Sequence, residues 1–355
     1  MSDPGIASGG PGAPSDTERQ LELKEVEGLS LGRIVLRRFL RNRGAIISMV
    51  VLAVFVVVAF SSEGVVLGPI SIPGWWQYGY ADVPAPVNGG GPTLSVIPGP
   101  GFGLGAHPFG QDDIGHDMFA RVMRGAQQSL MILFVVGVVS TILGTVVGAV
   151  AGFFGGRIDA LLMRLTDLVL IVPLILLAAI VGHALAGSGS FVLALMLGLL
   201  VWTTLARLVR GEVLSLRERE FVDAARVAGA SNTRIIFRHI LPNTVGVVIV
   251  SATLTMSAAI LTETALSYLG LGVQSPDVSL GKLISDYQTA FNTRPWLFWY
   301  PGVFIVIIAL TINFIGDGLR DAFDPRQKRG LNRTARQAQT ASREQSVEPQ
   351  SSGVQ

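Results

Sequence analysis

The chain has 355 residues; half are apolar, 15% are charged, the net charge is +2 and there is no cysteine. Mean hydropathy is +0.53, whereas soluble domains carry roughly 25% charged residues, so this chain lacks the polar surface of a soluble globule. The missing cysteines exclude disulfides, thiolate catalysis and cysteine–zinc sites, and the small net charge makes the position of charges matter more than their sum.

Residues 1–20 are rich in Gly, Pro and Ser, and residues 1–28 are expected to form a disordered tail. No cleavable signal is expected, because the first 44 residues hold no apolar core of adequate length. Leu31 to Arg43 looks amphipathic. Arg33, Arg37 and Arg41 repeat every four residues, and Ile34, Val35, Phe39 and Leu40 turn away from them. A helix lying in the membrane interface is one reading and a basic flank that orients the first span is the other; the pattern leaves both open.

Uncharged runs give the spans. Gly44 to Ser62 carries no charge and just crosses a hydrocarbon core of about 30 Å at about 1.5 Å per residue. Further runs lie between Arg124 and Arg157, Asp167 and Arg207, Arg238 and Glu263, and Arg294 and Asp317. The third is too long for one crossing and is divided by Gly187-Ser188-Gly189. Six transmembrane helices are therefore predicted near 44–62, 129–154, 166–186, 190–209, 243–266 and 298–316, an all-α polytopic membrane protein. With the N-terminus inside, the inner segments 1–44, 155–165, 207–242 and 317–355 hold 23 of the 27 Lys and Arg residues. That asymmetry predicts both termini in the cytoplasm.

The expected organisation follows. Residues 29–62 hold the interfacial segment and first span, and 63–128 form an extracytoplasmic loop. Residues 129–318 are the transmembrane core, with a cytoplasmic loop at 211–242. Residues 319–355 form a basic, polar tail, largely disordered after 328. The external loop carries Pro84-Ala85-Pro86, Gly89-Gly90-Gly91-Pro92 and Trp75-Trp76; the tryptophan pair suits an interfacial anchor, with a partner contact as the alternative.

The charged island between spans four and five is the most informative stretch. Arg210 to Val227 can form a helix on which Ala224, Ala225 and Ala228 present a small, close-packing surface. Gly229 can supply the turn, Ser231 can cap a short helix Thr233 to His239, and Pro242 is expected to break the chain before span five. Such a rigid helix pair suits docking into a groove on a soluble protein; an ordinary cytoplasmic loop fits the pattern equally well.

The segment Glu220–Asn243 resembles the EAA loop of type I ABC-importer permeases: Asp223, Ala224 and Ala225, then Gly229 with Ala230, then Leu241-Pro242. It departs at Asp223, one methylene shorter than the glutamate in the pattern, and at His239, where an aliphatic residue is common. Four further segments are similar to dipeptide and oligopeptide permeases: His107-Pro108-Phe109-Gly110-Gln111-Asp112-Asp113-Ile114-Gly115-His116-Asp117, Leu165-Thr166-Asp167, Ser267–Gly272 and Gly316–Pro325. Together they cover about residues 30–328 and look like the C-type subunit of that family of binding-protein-dependent inner-membrane components. The resemblance implies a permease subunit of the type I ABC-importer fold in a bacterial plasma membrane, paired with a second homologous permease. It also implies an extracytoplasmic binding protein that delivers di- or oligopeptides, and two ABC ATPases, or one fused chain, docked on the EAA loops. ATP and Mg²⁺ would be bound by those ATPases and no cofactor by this chain. Coupling would run through Asp223, Ala224, Ala225, Gly229, Ala230, Leu241 and Pro242. Relatives importing nickel, haem-related or other small solutes share these features.

No ATPase motif is present: Gly281-Lys282 is followed by Leu283 and lacks the upstream glycine of a P-loop, and the Gly101, Gly103, Gly105 series has no strand before it. His107, Asp112, Asp113, His116 and Asp117 have a metal-like composition but no standard ligand spacing, so no metal site is expected and capping of the second helix is the plainer role. Gly144, Gly148, Gly152 and Gly156 repeat every four residues and predict a helix-packing ridge. Asp167, Glu263 and Asn313 are polar residues within spans. Glu263 and Asn313 are candidates for the pathway or gate, and for Glu263 a helix–helix hydrogen bond is the competing role. An ion-coupled carrier would show buried relays and inverted repeats; only Glu263 suggests one, and no repeat is evident.

Overall fold

The computed structural model describes residues 31–67, 70–94, 103–185 and 187–323. The tails 1–28 and beyond 328, expected to be disordered, lie outside the described residues. Helix α1 (Leu31–Phe39) and α2 (Arg43–Glu63) are separated by Asn42, whose side chain accepts from the Ala45 amide at 3.2 Å and starts α2. Phe39 is buried with Ala45 and Ala322, while Leu36 and Leu40 stay exposed. One face of α1 therefore packs on protein rather than lying wholly against lipid. A short antiparallel hairpin follows, β1 (Gly64–Leu67) and β2 (Ile70–Pro73), with Val65 opposite Ile72.

Helix α3 runs Met118–Phe154, beginning eleven residues before the predicted 129. The charged residues Arg121 and Arg124 do not end it, because Arg121 is satisfied by Asp112 of the preceding loop and by Tyr287, and Arg124 by Gln127 of the same helix. Span three is not one straight helix at 166–186. It is a bent pair, α4 (Gly156–Ile171) and α5 (Leu174–Ala184), at 83°. Pro173 causes the break: Val172 before it is extended, as the proline ring requires. Span four is also a pair, α6 (Ser190–Val201) and α7 (Thr203–Arg217), at 42°. The helix predicted from Arg210 to Val227 is interrupted at Glu218–Arg219 and resumes as α8 (Glu220–Val227).

Helix α9 (Asn232–Ile235) enters a π-helical turn, Ile236–Ile240, and then α10 (Leu241–Tyr268). Together they form one helical rod of 37 residues, Asn232–Tyr268. Pro242 thus does not break the chain as expected. The wider turn bonds the Leu241 amide to the Ile236 carbonyl, and Asn243 Nδ2 donates to the His239 carbonyl at 2.6 Å. The register change absorbs the hydrogen bond that proline cannot make. Helix α11 (Leu280–Tyr287) and α12 (Trp296–Phe323) follow. The first five residues of the expected C-terminal tail, 319–323, continue α12.

Among the described residues, four helices are long and apolar enough to cross a membrane, and counting each bent pair as one crossing makes six. Helix α3 is central, packed on α6, α7 and α10; α12 lies between α10 and α2. The larger buried cluster centres on Met118, Ile132, Leu197, Ile260, Leu283 and Ile308. A second, smaller cluster joins Phe153, Val209, Val213, Val222, Ile235 and Ile240. It sits at the end of the bundle that carries α8, hereafter the basic end.

Candidate functional site

At the basic end, α8 is built from an amphipathic octet. Val222 is fully buried against Val213, Ile235 and Ile236. Gly229 has φ +79°, a value that favours glycine. The Ala230 amide bonds the Ala225 carbonyl at 3.0 Å and the Gly229 amide bonds the Arg226 carbonyl at 2.9 Å. This is a Schellman closure, which satisfies the carbonyls that end α8. Ser231 then caps α9 by accepting from the Arg234 amide. Asp223 and Arg226 pair at 3.1 Å on the surface; such a pair contributes about 0–1 kcal/mol, so folding leaves both side chains available.

Large apolar side chains stand exposed on this unit among its charges. Val227 is 91% exposed, Phe237 65% and Phe221 40%, and Ala224 and Ala228 are exposed as well. The structure brings together Asp223, Ala224, Ala225, Gly229 and Ala230 at this corner, with Leu241 packed behind them and Pro242 in the rod that leads away. Reasoning from sequence missed Phe221, Val227 and Phe237. Their exposure follows from the fold of this corner, and the one available signal was the presence of large apolar residues among charges.

The glycine ridge faces inward. A Cβ on Gly144 would lie 2.9 Å from the Trp202 carbonyl oxygen, and one on Gly152 2.8 Å from that of Arg210. On Gly148 it would run into the Ala206 carbonyl. The ridge therefore seats α7 within this subunit. Gly156, expected as its fourth member, does not belong to it. Helix α3 ends at Phe154, and Gly156 has φ +54° with nothing within 4 Å of where a Cβ would stand. Asp159 receives Arg210 in a two-point pair, 2.6 Å at Nη2, and Asp167 pairs with Arg207. These pairs tie α4 to α7.

Glu263 is 0% exposed. Its Oε1 accepts from Ser267 Oγ at 2.7 Å and Ser279 Oγ at 2.6 Å, so the carboxyl joins α10 to the start of α11. Asn313 is half-buried on α12. Neither lines the cleft of about 300 Å³ between α6, α7 and α10, whose walls include Leu197, Val201, Thr204, Ser251, Thr255 and Thr262.

At the opposite end the loop before α3 is a packed polar network. Asp117 Oδ1 accepts from the Ala120 amide at 2.7 Å, capping α3, and from Trp76 Nε1 at 3.1 Å. Its Oδ2 lies 2.6 Å from His107 Nδ1. Trp76 packs on Phe119, so it is a loop-core residue and not only an interfacial anchor, while Trp75 remains exposed. Asp112 Oδ1 accepts from the amides of Ile114, Gly115 and His116, and Oδ2 accepts from Tyr287 Oη at 2.8 Å and Arg121 Nη1 at 3.0 Å. Burial pushes the Asp112 carboxyl up, but the Tyr287 and His116 hydrogen bonds outweigh it and hold it below the usual carboxylate range. Burial raises the Tyr287 phenol, opposed in part by Arg121. Among the described residues, no group of three or more His, Cys, Asp or Glu is placed to hold a metal ion.

Asp117→Ala removes a helix cap and leaves His107 unpaired in the interior. It is expected to cost about 3 kcal/mol, read as a fall in the thermal unfolding temperature of the detergent-solubilised protein. Asp117→Asn keeps an acceptor for the cap and is expected to lose less.

Residues 144–329 match the family described as binding-protein-dependent transport system inner membrane component, and residues 30–83 match the N-terminal TM domain of oligopeptide transport permease C. The oligopeptide transport system permease protein OppC of Mycobacterium tuberculosis is 40% identical over 304 residues, 85% of this chain and 97% of that one. The protein of the same name in Escherichia coli K12 is 36% identical over 310 residues, 86% and 95% of the two chains. That of Bacillus subtilis is 34% identical over 303, covering 85% and 92%. A permease of this kind works with a partner permease, an ATPase and a binding protein, and hydrolysis belongs to the separate ATPase subunit. The chain therefore belongs to the binding-protein-dependent transport system inner membrane components, as a multi-pass permease subunit of an ABC importer.

Proposed function

We infer that this subunit imports di- or oligopeptides, delivered by an extracytoplasmic binding protein, through a pathway shared with a second homologous permease. Two ATPase chains, holding ATP and Mg²⁺, dock on the α8–α9 corners of the two permeases. The observation that carries the reading is a corner closed at Gly229 that leaves Phe221 and Val227 exposed on α8 and Phe237 exposed on the π turn that follows. That corner exposes the small residues Ala224 and Ala228 and packs through Val222 and Ala225 on the rod that becomes span five. The Lys and Arg asymmetry puts it in the cytoplasm, where an ATPase is found. The names of the relatives support peptides as the cargo. The cleft between α6, α7 and α10 suits such a cargo, because its walls are largely apolar with scattered hydroxyls and carry no charge. It can accept a peptide without selecting one side chain.

Vesicles containing the whole complex are expected to take up labelled di- to tetrapeptides only with ATP and binding protein present. Excess nickel or haem should not compete. Uptake by this chain alone, or competition by nickel or haem with no peptide uptake, would overturn the assignment.

A further inference from the structure

Helix α11 is held at both ends by buried hydrogen bonds, and each end belongs to a different part of the subunit. At its start, Ser279 Oγ accepts from the Lys282 amide at 3.0 Å, capping the helix, and donates to Glu263 Oε1 of α10 at 2.6 Å. The next amide, Leu280, donates to Ser129 Oγ of α3 at 3.2 Å. Gly281 lies against α10 so closely that a Cβ there would be 2.7 Å from the Thr264 Cα. At its far end, Tyr287 Oη accepts from Arg121 Nη1 at 2.7 Å and donates to Asp112 Oδ2 at 2.8 Å. Asp112 in turn organises the turn 112–116 through three backbone amides. Leu280, Leu283, Ile284 and Tyr287 bury the face between.

The rod Asn232–Tyr268 spans the subunit without interruption. Its lower end packs on Val222 of α8, and its upper end carries Glu263. A shift at the basic end therefore reaches Ser279 through one helix, and helices transmit displacement because their backbone bonds resist compression. The π turn at Ile236–Ile240 is where the register of this rod departs from the α-helix.

We propose that α11 is a strut linking span five to the loop at the opposite end, with Ser279 and Tyr287 as its two positioning residues. Resting on the reading under Proposed function, the strut reports the state of the α8 corner to the external loop that faces the binding protein, and by reciprocity carries the docking of the binding protein back. Neither residue touches cargo or nucleotide in this scheme. Each sets the position of another group: Ser279 that of α11 relative to Glu263, Tyr287 that of Asp112 and Arg121.

The test uses the complete complex in proteoliposomes and reads ATPase activity with and without peptide-loaded binding protein. Ser279→Ala and Tyr287→Phe are expected to keep basal ATPase within about twofold of the parent and to lose at least about fivefold of the stimulation by loaded binding protein. Ser279→Thr retains the hydroxyl and should recover most of the stimulation. Because the two joints act in series, the double variant should lose no more than the worse single one. Stimulation within about twofold of the parent in both single variants would overturn the strut, leaving the importer reading intact. A parallel fall of basal and stimulated activity would also overturn it, because that marks general destabilisation. A parent complex that does not respond to loaded binding protein at all would overturn the importer reading and the strut with it.

Discussion

Replacing Gly229 with proline is expected to cut ATP-driven uptake by at least about tenfold while the membrane helices stay folded. Proline fixes φ near about −65°, whereas Gly229 sits at +79°. It also deletes the amide that bonds the Arg226 carbonyl at 2.9 Å. The Schellman closure then opens, and the turn can no longer hold α8 against α9. The loss falls on the corner alone, because a side chain at Gly229 would meet nothing within 4 Å. Ala225→Arg reaches the same end by another route. Ala225 packs on the cluster of Val222, Ile235 and Ile236, so a guanidinium there must push α8 outward to stay hydrated. Both variants should assemble in the membrane and retain their melting temperature within a few degrees. Parental uptake rates in both would remove the docking role of this corner.

Gly148→Leu should have the largest effect on stability. The Gly148 Cα faces the Ala206 carbonyl, and a Cβ added there would also lie 2.8 Å from Val209 Cβ. A leucine needs room that backbone cannot yield, so α3 and α7 must separate. Overpacking costs about 1–3 kcal/mol when side chains can move, and more is expected against a carbonyl. The separation also pulls apart the cluster of Phe153, Val209 and Val213 beneath α8. The measured result should be a large loss of folded protein in the membrane and a lowered unfolding temperature. Gly156→Leu is the matched control. It meets no neighbour within 4 Å and carries only the strain of φ +54°, about 1–2 kcal/mol for a residue with a Cβ. Equal loss in the two variants would show that the ridge does not act by close approach.

The contrast between these two glycines shows where pattern reading stops. A four-residue repeat places Gly144, Gly148, Gly152 and Gly156 on one face only while the helix lasts, and α3 ends at Phe154. The end is set by Gly155 at φ +65°, a local conformation that periodicity does not contain. The bend at Pro173 was available in the sequence through the rule for residues preceding proline, but hydropathy ran across it. Pro242 shows the opposite failure. Proline normally ends a helix, yet here a π turn and the Asn243 side chain keep the rod continuous.

Composition, uncharged run length and the distribution of Lys and Arg by themselves determined that this chain lives in a membrane, roughly where it crosses, and that its charged island stands at one face. Those properties are local or additive along the chain, because transfer from water to lipid is counted residue by residue. The spacing of Asp223, Ala225, Gly229 and Pro242 determined the family resemblance in the same way. Only the tertiary structure decided that Glu263 holds Ser279 inside the subunit, that Tyr287 reaches Asp112, and that Phe221, Val227 and Phe237 stay exposed while Val222 is buried. Glu263 and Ser279 are 16 residues apart and Asp112 and Tyr287 are 175 apart, and a hydrogen bond across such a distance depends on how whole helices pack, which no local pattern encodes.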